Sequence, residues 1–488
     1  MLSSKDLGSV AKCRVERDFL GEVSIPEDAY YGIQTMRAVE NFQIAGFPIS
    51  SFPKLIRALA AVKKAAARAN LKLKLLSEEV AQAICLACDE TMGNRLSDHF
   101  IIDLVQGGAG TSTNMNANEV IANRALELLG KHKGEYDVVS PNDHVNLSQS
   151  TNDVYPTAVK IALNYSLKEL TATMEELIAA LRSKEEEFAD VLKMGRTELR
   201  DAVPMTLGQE FGAYATTLSE DVERLNEVSR LIREINLGGT AIGTGINADP
   251  RYSKLVCKEL RKITGLDLIL SPDLIEATMD TGSFVMLSGA LKRTAVKLSK
   301  ICNDLRLLSS GPRAGFNEIN LPVVQAGSSI MPGKVNPVIP EMVSEVCYQV
   351  IGNDLVVTLA AEAGQLELNA YLPIIAFNLF ESTRMLRNVM GTLTQRCIRG
   401  ITANREHCLE MVRNSLGLAT ALNPYIGYDR AAEIAKEAFE TGRSVYDLVM
   451  ERGILSKKQL DRLLSPQNMI RPRRLERKAT RTPPSTSQ

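Results

Sequence analysis

Five long stretches of the chain repeat hydrophobic residues every three or four positions, the spacing of one face of an α-helix. In the third stretch the apolar residues form a single stripe, which consists of Leu287, Leu291, Ala295, Leu298, Cys302 and Leu305. An alanine-rich region over 53–96 has the same spacing. The pattern therefore predicts a mainly α protein with long helices at 155–192, 207–235, 284–309, 337–363 and 373–397.

Helices of this length suit an elongated bundle better than a small globule. Helices of about 25 to 38 residues span roughly 38 to 57 Å. A monomer would leave much of these apolar helix faces in water, so we expect coiled-coil-like packing between subunits. The segment 14–42, which precedes the alanine-rich region, is rich in Gly, Pro and Tyr. This composition favours short strands and turns.

Breaks in the helical pattern suggest domain boundaries. We expect a mainly helical N-terminal domain over 1–149, a central long-helix bundle over 150–403 and a small helical domain over 404–470. The last of these begins at Asn404, a fresh helix N-cap. Residues 471–488 are basic, rich in Pro, Ser and Thr and without apolar periodicity, which predicts a disordered tail. Nucleic-acid binding by this tail is the weaker alternative to a solvated tail.

Four polar strings interrupt the helices, at 107–119, 140–157, 195–209 and 327–341. A glycine-rich turn at 238–250 adds a fifth break. Taken alone, the string 107–119 is better explained by a loop before an N-capped helix. A bundle brings distant loops together, however, and four strings rich in hydroxyls and carboxamides favour a shared site for a small dicarboxylate.

The string 327–341, GSSIMPGKVNPVIPE, carries the strongest chemical signal. Gly327 and Gly333 allow backbone conformations that other residues avoid. Asn336 followed by Pro337 is a helix start, and the first N–H groups of a helix together with Lys334 make an anion site. The ligand that this pattern predicts is a carboxylate. Composition alone leaves an ordinary surface loop as an equal alternative.

Composition and charge exclude several other classes of protein. The 488 residues carry a formal net charge of −1, which argues against an electrostatic nucleic-acid binder. No run approaches the length of a membrane span, and the first residues lack the apolar core of a signal peptide, so a cytoplasmic protein is expected.

The eight cysteines are scattered through apolar helical patterns, and we interpret them as reduced core thiols. Cys85 and Cys88 have CxxC spacing, but neither a second pair nor a nearby His completes a zinc site. We therefore expect no metal site.

Proton removal from the carbon next to a carboxylate requires preorganised donors, because the product places two negative charges on one carboxylate-derived group. Each such donor is worth roughly 3 to 4 kcal/mol. A serine at a helix N-terminus near a lysine is a candidate base, because both lower the pKa of its hydroxyl. The candidate base is Ser328 near Lys334, and the candidate donors are Thr111, Ser150, Thr151 and Ser329.

The string 327–341 resembles the signature loop of the fumarase/aspartase superfamily, homotetrameric lyases that eliminate a group β to a carboxylate and release fumarate. The strings GAGTS, QSTND and GRT resemble the other family strings, and the similarity runs from Arg14 to Arg471. The resemblance implies the three-domain family fold, a homotetramer built on the central helices, and active sites shared between subunits. It implies neither an organic cofactor nor an essential metal.

The resemblance also implies roles for residues of the signature loop. In this family the serine after the first glycine is the base, which corresponds to Ser328. The lysine and asparagine of KVNP hold the α-carboxylate, and these are Lys334 and Asn336.

The other strings supply the rest of the site that the resemblance implies. Thr111, Ser150 and Thr151 correspond to the residues that hold the carboxylate which becomes the dianion. Asn152 and Thr197 lie where the family binds the leaving group.

Within the family, several strings resemble the branch that deaminates L-aspartate to fumarate and ammonia: DAVPMTLGQEF, SPNDHVN, VNPVIPE and GITAN. Glu198 departs from the pattern, since the residue after GRT is His in fumarases and some aspartases and Gln in others. A carboxylate there removes the imidazole that would handle water and offers a partner for an ammonium. Glu341, if close, would raise one of the two carboxyl pKa values, and Arg200 would compensate for the added charge.

Two alternatives remain open at this point. One is a sister lyase: a class II fumarase first, then the argininosuccinate and adenylosuccinate lyases. The other is a non-catalytic protein on the same scaffold, although Ser328, Lys334 and Asn336 are all present.

Overall fold

The computed structural model describes residues 12–470, without the side chains of residues 466 and 467, and the described chain is mainly α-helical as predicted. Up to residue 396 the α-helices are α1 (Ile33–Asn41), α2 (Pro53–Lys72), α3 (Glu78–Met92), α4 (Thr111–Leu128), α5 (Thr151–Glu187), α6 (Leu207–Leu231), α7 (Tyr252–Thr264), α8 (Glu276–Met279), α9 (Gly282–Leu308), α10 (Val338–Glu362) and α11 (Leu372–Arg396). The C-terminal helices are α12 (Arg405–Asn414), α13 (Leu418–Ile426), α14 (Tyr428–Thr441), α15 (Val445–Glu451), α16 (Lys457–Leu463) and α17 (Pro466–Met469). The predicted basic tail lies outside the described residues.

All five long helices are confirmed, as α5, α6, α9, α10 and α11. The stripe predicted in α9 is buried along its length, with no member more than 1% exposed. The start of α10 differs from the prediction. It begins at Val338, so Pro337 stands at the N-cap position, one residue later than expected, a displacement typical of helix ends.

Within residues 12–470, eight short strands form four two-stranded sheets. They are β1 (Cys13–Asp18), β2 (Gly21–Pro26), β3 (Leu192–Thr197), β4 (Arg200–Thr206), β5 (Glu234–Ile235), β6 (Ile269–Leu270), β7 (Ile319–Asn320) and β8 (Thr402–Ala403). The pairs β1–β2, β3–β4 and β7–β8 are antiparallel, whereas β5–β6 is parallel. The hairpin β1–β2 falls where Gly, Pro and Tyr predicted strands and turns.

The described chain divides into two compact units, each built from three segments. The first contains 12–173, 221–296 and 346–388, and the second contains 174–220, 297–345 and 389–470. Our three-domain division of the sequence therefore stays a prediction. In the first unit an alanine-rich core joins α2, α3 and α4, where small side chains allow the helices to pack closely. In the second unit the helices α12 to α16 enclose a core of Leu, Val, Ile and Ala.

Six of the eight cysteines are buried, in keeping with the predicted core thiols, while Cys13 is exposed and Cys85 is half-buried. No group of metal-ligating side chains within 12–470 is arranged to hold an ion. Across the same residues, no helix is long and apolar enough to cross a membrane.

Candidate functional site

The first candidate residue, Thr111, opens α4 after a tight glycine turn. Ala109 and Gly110 both have left-handed backbones, with φ of 57° and 93°. A Cβ on Gly110 would lie 2.5 Å from the ring of Tyr155, so only glycine fits above this buried tyrosine. The turn leaves Thr111 exposed at the positive end of an 18-residue helix.

Two further candidates, Ser150 and Thr151, lie at the start of α5. The Ser150 hydroxyl accepts the N–H of Asn152 at 3.2 Å, as a helix-capping hydroxyl does. The Thr151 hydroxyl accepts a hydrogen bond from the amide of Asn114 at 3.1 Å, one turn into α4. The starts of α4 and α5 therefore lie side by side, and their dipoles favour an anion at the same place.

A buried polar network supports these two helix starts. The Lys63 ammonium donates to the side-chain oxygens of Asn146, at 2.9 Å, and Gln149, at 3.0 Å. The same Asn146 oxygen accepts from Asn114 and from Asn118. Burial lowers the pKa of Lys63 to about 7.

This network was not predicted from the sequence. The helical spacing of Asn114 and Asn118 was a signal for it, since carboxamides four residues apart share a helix face.

Asn152 contacts the glycine-rich turn rather than open solvent. Its amide donates to the carbonyl of Ala241 at 2.7 Å, and its own carbonyl accepts from Asn236 at 3.0 Å. The predicted leaving-group residue thus links the start of α5 to the turn at 238–250 and to Asn236 just before it.

In the second unit the signature loop closes on itself. The Ser328 N–H donates to the carbonyl of Lys334 at 3.0 Å, and Gly327 and Gly333 are both left-handed. A Cβ on Gly327 would lie 1.8 Å from that carbonyl oxygen, whereas one on Gly333 would meet nothing within 4 Å. A glycine is therefore required at position 327 for the loop to close. At position 333 a glycine is favoured only because the backbone angle is left-handed.

The closed loop surrounds the Ser328 hydroxyl with donors. Its oxygen accepts the N–H groups of Ile330 at 3.3 Å and Met331 at 3.1 Å. Donors that point at a hydroxyl oxygen favour its ionised form, which is the property that a serine base requires.

The other loop candidates are accessible. Ser329 and Lys334 are exposed, and Asn336 is half-buried. Lys334 and Asn336 line a groove of about 1000 Å³ together with Asn320 and Arg306. A lysine and two carboxamides in an open groove can bind a carboxylate.

Thr197 and Glu198 lie at the tip of the β3–β4 hairpin. Thr197 pairs with Arg200, so Glu198 and Leu199 form a two-residue turn, and both have positive φ, at 53° and 61°. Such angles are uncommon for residues other than Gly, Asn and Asp and are frequent at functional sites. Thr197 and Glu198 are both exposed at this tip.

Glu341 lies in the first turn of α10, with its carboxylate 3.8 Å from the guanidinium of Arg306. The sequence did not predict Arg306 as the partner of Glu341.

Beneath the hairpin, the fully buried Glu318 pairs with Lys193 at 2.8 Å and Arg196 at 2.6 Å. These ion pairs connect β3 to the segment before the signature loop.

The candidate residues thus form two groups. Thr111, Ser150, Thr151 and Asn152 come together in the first unit. The second unit contains the hairpin and the signature loop with Thr197, Glu198, Ser328, Ser329, Lys334, Asn336 and Glu341. That both groups bind one substrate stays a prediction.

Comparison with known proteins decides the family. A family model described as lyase matches residues 21–352, and one described as the fumarase C C-terminus matches 418–471. The aspartate ammonia-lyase of Pseudomonas canavaninivorans is 59% identical over 97% of this chain and 100% of its own length. The chain belongs to this lyase family. The resemblance to the fumarase/aspartase superfamily is confirmed.

Other proteins are similar to this chain over almost its whole length, at lower identity. The aspartate ammonia-lyase of Escherichia coli K12 is 54% identical over 94% of this chain and 96% of its own. A fumarate lyase:delta crystallin from Brucella melitensis, in a crystal structure bound to cobalt, has a TM-score of 0.93 at 57% identity. The match covers 94% of this chain and 100% of that one. The class II fumarase of Schistosoma mansoni reaches 0.89 at 36% identity, covering 94% and 99%.

Proposed function

We propose that this protein is an aspartate ammonia-lyase, which eliminates ammonia from L-aspartate to give fumarate and also catalyses the reverse reaction. The observation that carries the proposal is the identity of 54 to 59% to aspartate ammonia-lyases over almost the whole chain. The enzyme is a carbon–nitrogen lyase. A class II fumarase is the second candidate, because a fumarase shares the fold at 36% identity.

In the proposed reaction the Ser328 oxyanion takes a proton from the β-carbon of aspartate. The N–H groups of Ile330 and Met331 support this oxyanion before the proton is transferred. The electron pair left on the β-carbon is delocalised into the neighbouring carboxylate, which gives a carbanion (aci-carboxylate) intermediate with two negative charges. That pair then forms the carbon–carbon double bond as the carbon–nitrogen bond breaks, and ammonia leaves with the pair of that bond. No organic cofactor takes part in this proposal.

The remaining residues bind the substrate at its two ends. Thr111, Ser150 and Thr151 hold the β-carboxylate, which carries two negative charges in the intermediate and gains from the adjoining starts of α4 and α5. Lys334 and Asn336 hold the α-carboxylate from the groove that they line.

The departing amine is held by Asn152 and Thr197, with Glu198 beside them. A glutamate carboxylate is an ion-pair partner for an ammonium and lacks the two nitrogens with which an imidazole relays a proton to water. Glu198 therefore favours aspartate over malate. In this proposal Glu341 belongs to the same region and is neutralised by Arg306.

We also propose a homotetramer whose active sites are shared between subunits. In support, α10 carries apolar side chains that are more than half exposed in the single chain: Tyr348 at 57%, Leu355 at 61% and Leu359 at 59%. Exposed apolar surface in one patch is typical of a subunit interface.

The buried thiols suit the reducing environment of the cytoplasm, which is the proposed location.

One incubation distinguishes the two candidate functions. Purified protein is mixed with fumarate and ammonium, and the products are followed by proton nuclear magnetic resonance. The proposal predicts aspartate without malate. Malate without aspartate would favour the fumarase, and neither product would favour the non-catalytic alternative.

A further inference from the structure

Asp153 is a fully buried carboxylate to which the reaction above assigns no role. It lies in the first turn of α5, directly after the substrate-binding residues Thr151 and Asn152. One of its oxygens accepts the N–H of Ser150 at 3.0 Å. The other accepts two N–H groups from the glycine-rich turn, those of Gly238 at 2.9 Å and Thr240 at 3.0 Å.

These bonds join the glycine-rich turn to the start of α5. Two more contacts run in parallel, from Asn236 to the carbonyl of Asn152 and from the amide of Asn152 to Ala241. Thr240 has a positive φ of 55°, which costs energy for a β-branched residue and persists only where its surroundings fix it. The Asp153 carboxylate accepts from both sides of this junction at once.

The burial of Asp153 is costly for folding. Burial raises its pKa to about 6, against the lowering effect of its three N–H donors and of Lys63. The ionisable groups that face it are Lys63 from α2 and Tyr252 from the start of α7. A raised pKa means that the ionised carboxylate opposes folding at neutral pH. Stability alone is therefore a poor explanation for a carboxylate at this position.

We propose that Asp153 is a positioning residue for elimination, which holds Ser150, Thr151 and Asn152 against the glycine-rich turn in the geometry that the transition state requires. The proposal rests on the proposed function, since these three residues are its substrate-binding residues at the start of α5. Asp153 contacts no substrate in this account. It acts through its hydrogen bond from the Ser150 N–H. This bond fixes the backbone of Ser150 and therefore the position of the Ser150 hydroxyl.

The variant Asp153→Asn tests the proposal with almost no change in shape. The amide oxygen can still accept from Gly238 and Thr240, but its NH2 group then faces the N–H of Ser150, two donors without an acceptor. We expect kcat to fall about 100-fold, because a small displacement of a substrate-binding group costs about that much in rate. The affinity for fumarate should change less than about tenfold.

Asp103→Asn is the matched control. Asp103 is also buried, and one of its oxygens accepts three backbone N–H groups, from Ile44, Ala45 and Gly46. We expect this variant to lose thermal stability but to keep kcat within about threefold, as for a structural contact whose loss leaves the reacting geometry in place. Equal losses of kcat per folded chain in the two variants would overturn the proposal.

A second variant covers the case in which Asp153→Asn does not fold. Asn236 lies two residues before the turn, and Asn236→Ala removes its contact with the Asn152 carbonyl together with a second one to the Thr278 hydroxyl. We therefore expect a smaller fall in kcat with unchanged fumarate affinity. Wild-type kcat in Asn236→Ala would contradict the proposed junction. The rate of amide hydrogen exchange at Gly238 and Thr240 should rise in Asp153→Asn. An unchanged rate would also contradict the proposed junction.

These tests separate the proposal from the proposed function. If the wild type forms fumarate from L-malate instead of L-aspartate, the proposed function fails, but the same fall in kcat can be measured with malate. If the wild type acts on aspartate and Asp153→Asn retains its kcat, only the positioning role fails.

Discussion

Substituting alanine for Gly327 should open the signature loop and remove most of the activity. The φ of Gly327 is +87°, and an added Cβ would lie 1.8 Å from the carbonyl oxygen of Lys334. That oxygen accepts the Ser328 N–H, so relief of the clash must move the proposed base or Lys334. Because the loop is exposed, the fold itself should survive.

The magnitude follows from two contributions. A left-handed backbone costs an alanine roughly 1 to 2 kcal/mol, and this applies equally to Gly333, whose φ is +80°. Only Gly327 adds the clash, which displaces the Ser328 hydroxyl by an amount on the order of 1 Å and so costs about 100-fold in rate. We therefore expect Gly333→Ala to lose at most about 30-fold in kcat and Gly327→Ala several hundred-fold or more.

The assay is the ultraviolet absorbance of fumarate during steady-state turnover of L-aspartate, with circular dichroism melting curves for both variants. Gly333→Ala is the internal control, since it shares the loop and the backbone angle but not the clash. The reasoning would be refuted by equal losses in the two variants, or by near wild-type turnover in Gly327→Ala.

Three further predictions concern separate features. Glu198→Gln should retain deamination of L-aspartate, and a switch to L-malate in steady-state assays would show that the assignment of Glu198 is wrong. Burial raises the pKa of Glu119 to about 7 from 4.5, so its contribution to stability is present below about pH 4.5 and lost as pH rises through 7, a change of about 3 kcal/mol. The melting temperature of wild type relative to that of Glu119→Gln should accordingly fall between pH 5 and pH 8, and a constant difference would contradict this. The double variant Leu355→Glu, Leu359→Glu should sediment as a smaller species than wild type, and an unchanged assembly would place the interface elsewhere.

The long helices were predictable because their signal is local and repeated. In α9 the same apolar stripe recurs over about five turns, so an error at one position changes little. The ends were less certain, as the start of α10 after Pro337 shows, since a helix end depends on one or two residues.

The candidate site was predictable where its residues lie next to one another in sequence. The loop around Ser328 and the capped start of α5 are local structures that glycine and hydroxyl residues favour. The support beneath them was not predictable, because Lys63 and Asn146 are 83 positions apart and meet only after folding. The positive φ of Glu198 was hidden for a different reason, since glutamate gives no sequence signal for a left-handed turn.

The most direct test of the central claim is the formation of fumarate from L-aspartate by the wild type and by Ser328→Ala, measured by absorbance under the same conditions with L-malate in parallel. The account predicts fumarate from aspartate alone in the wild type, and almost none from Ser328→Ala while the assembly persists by sedimentation. Near-normal turnover in Ser328→Ala would contradict the assignment of the base, and fumarate from malate alone would contradict the proposed reaction.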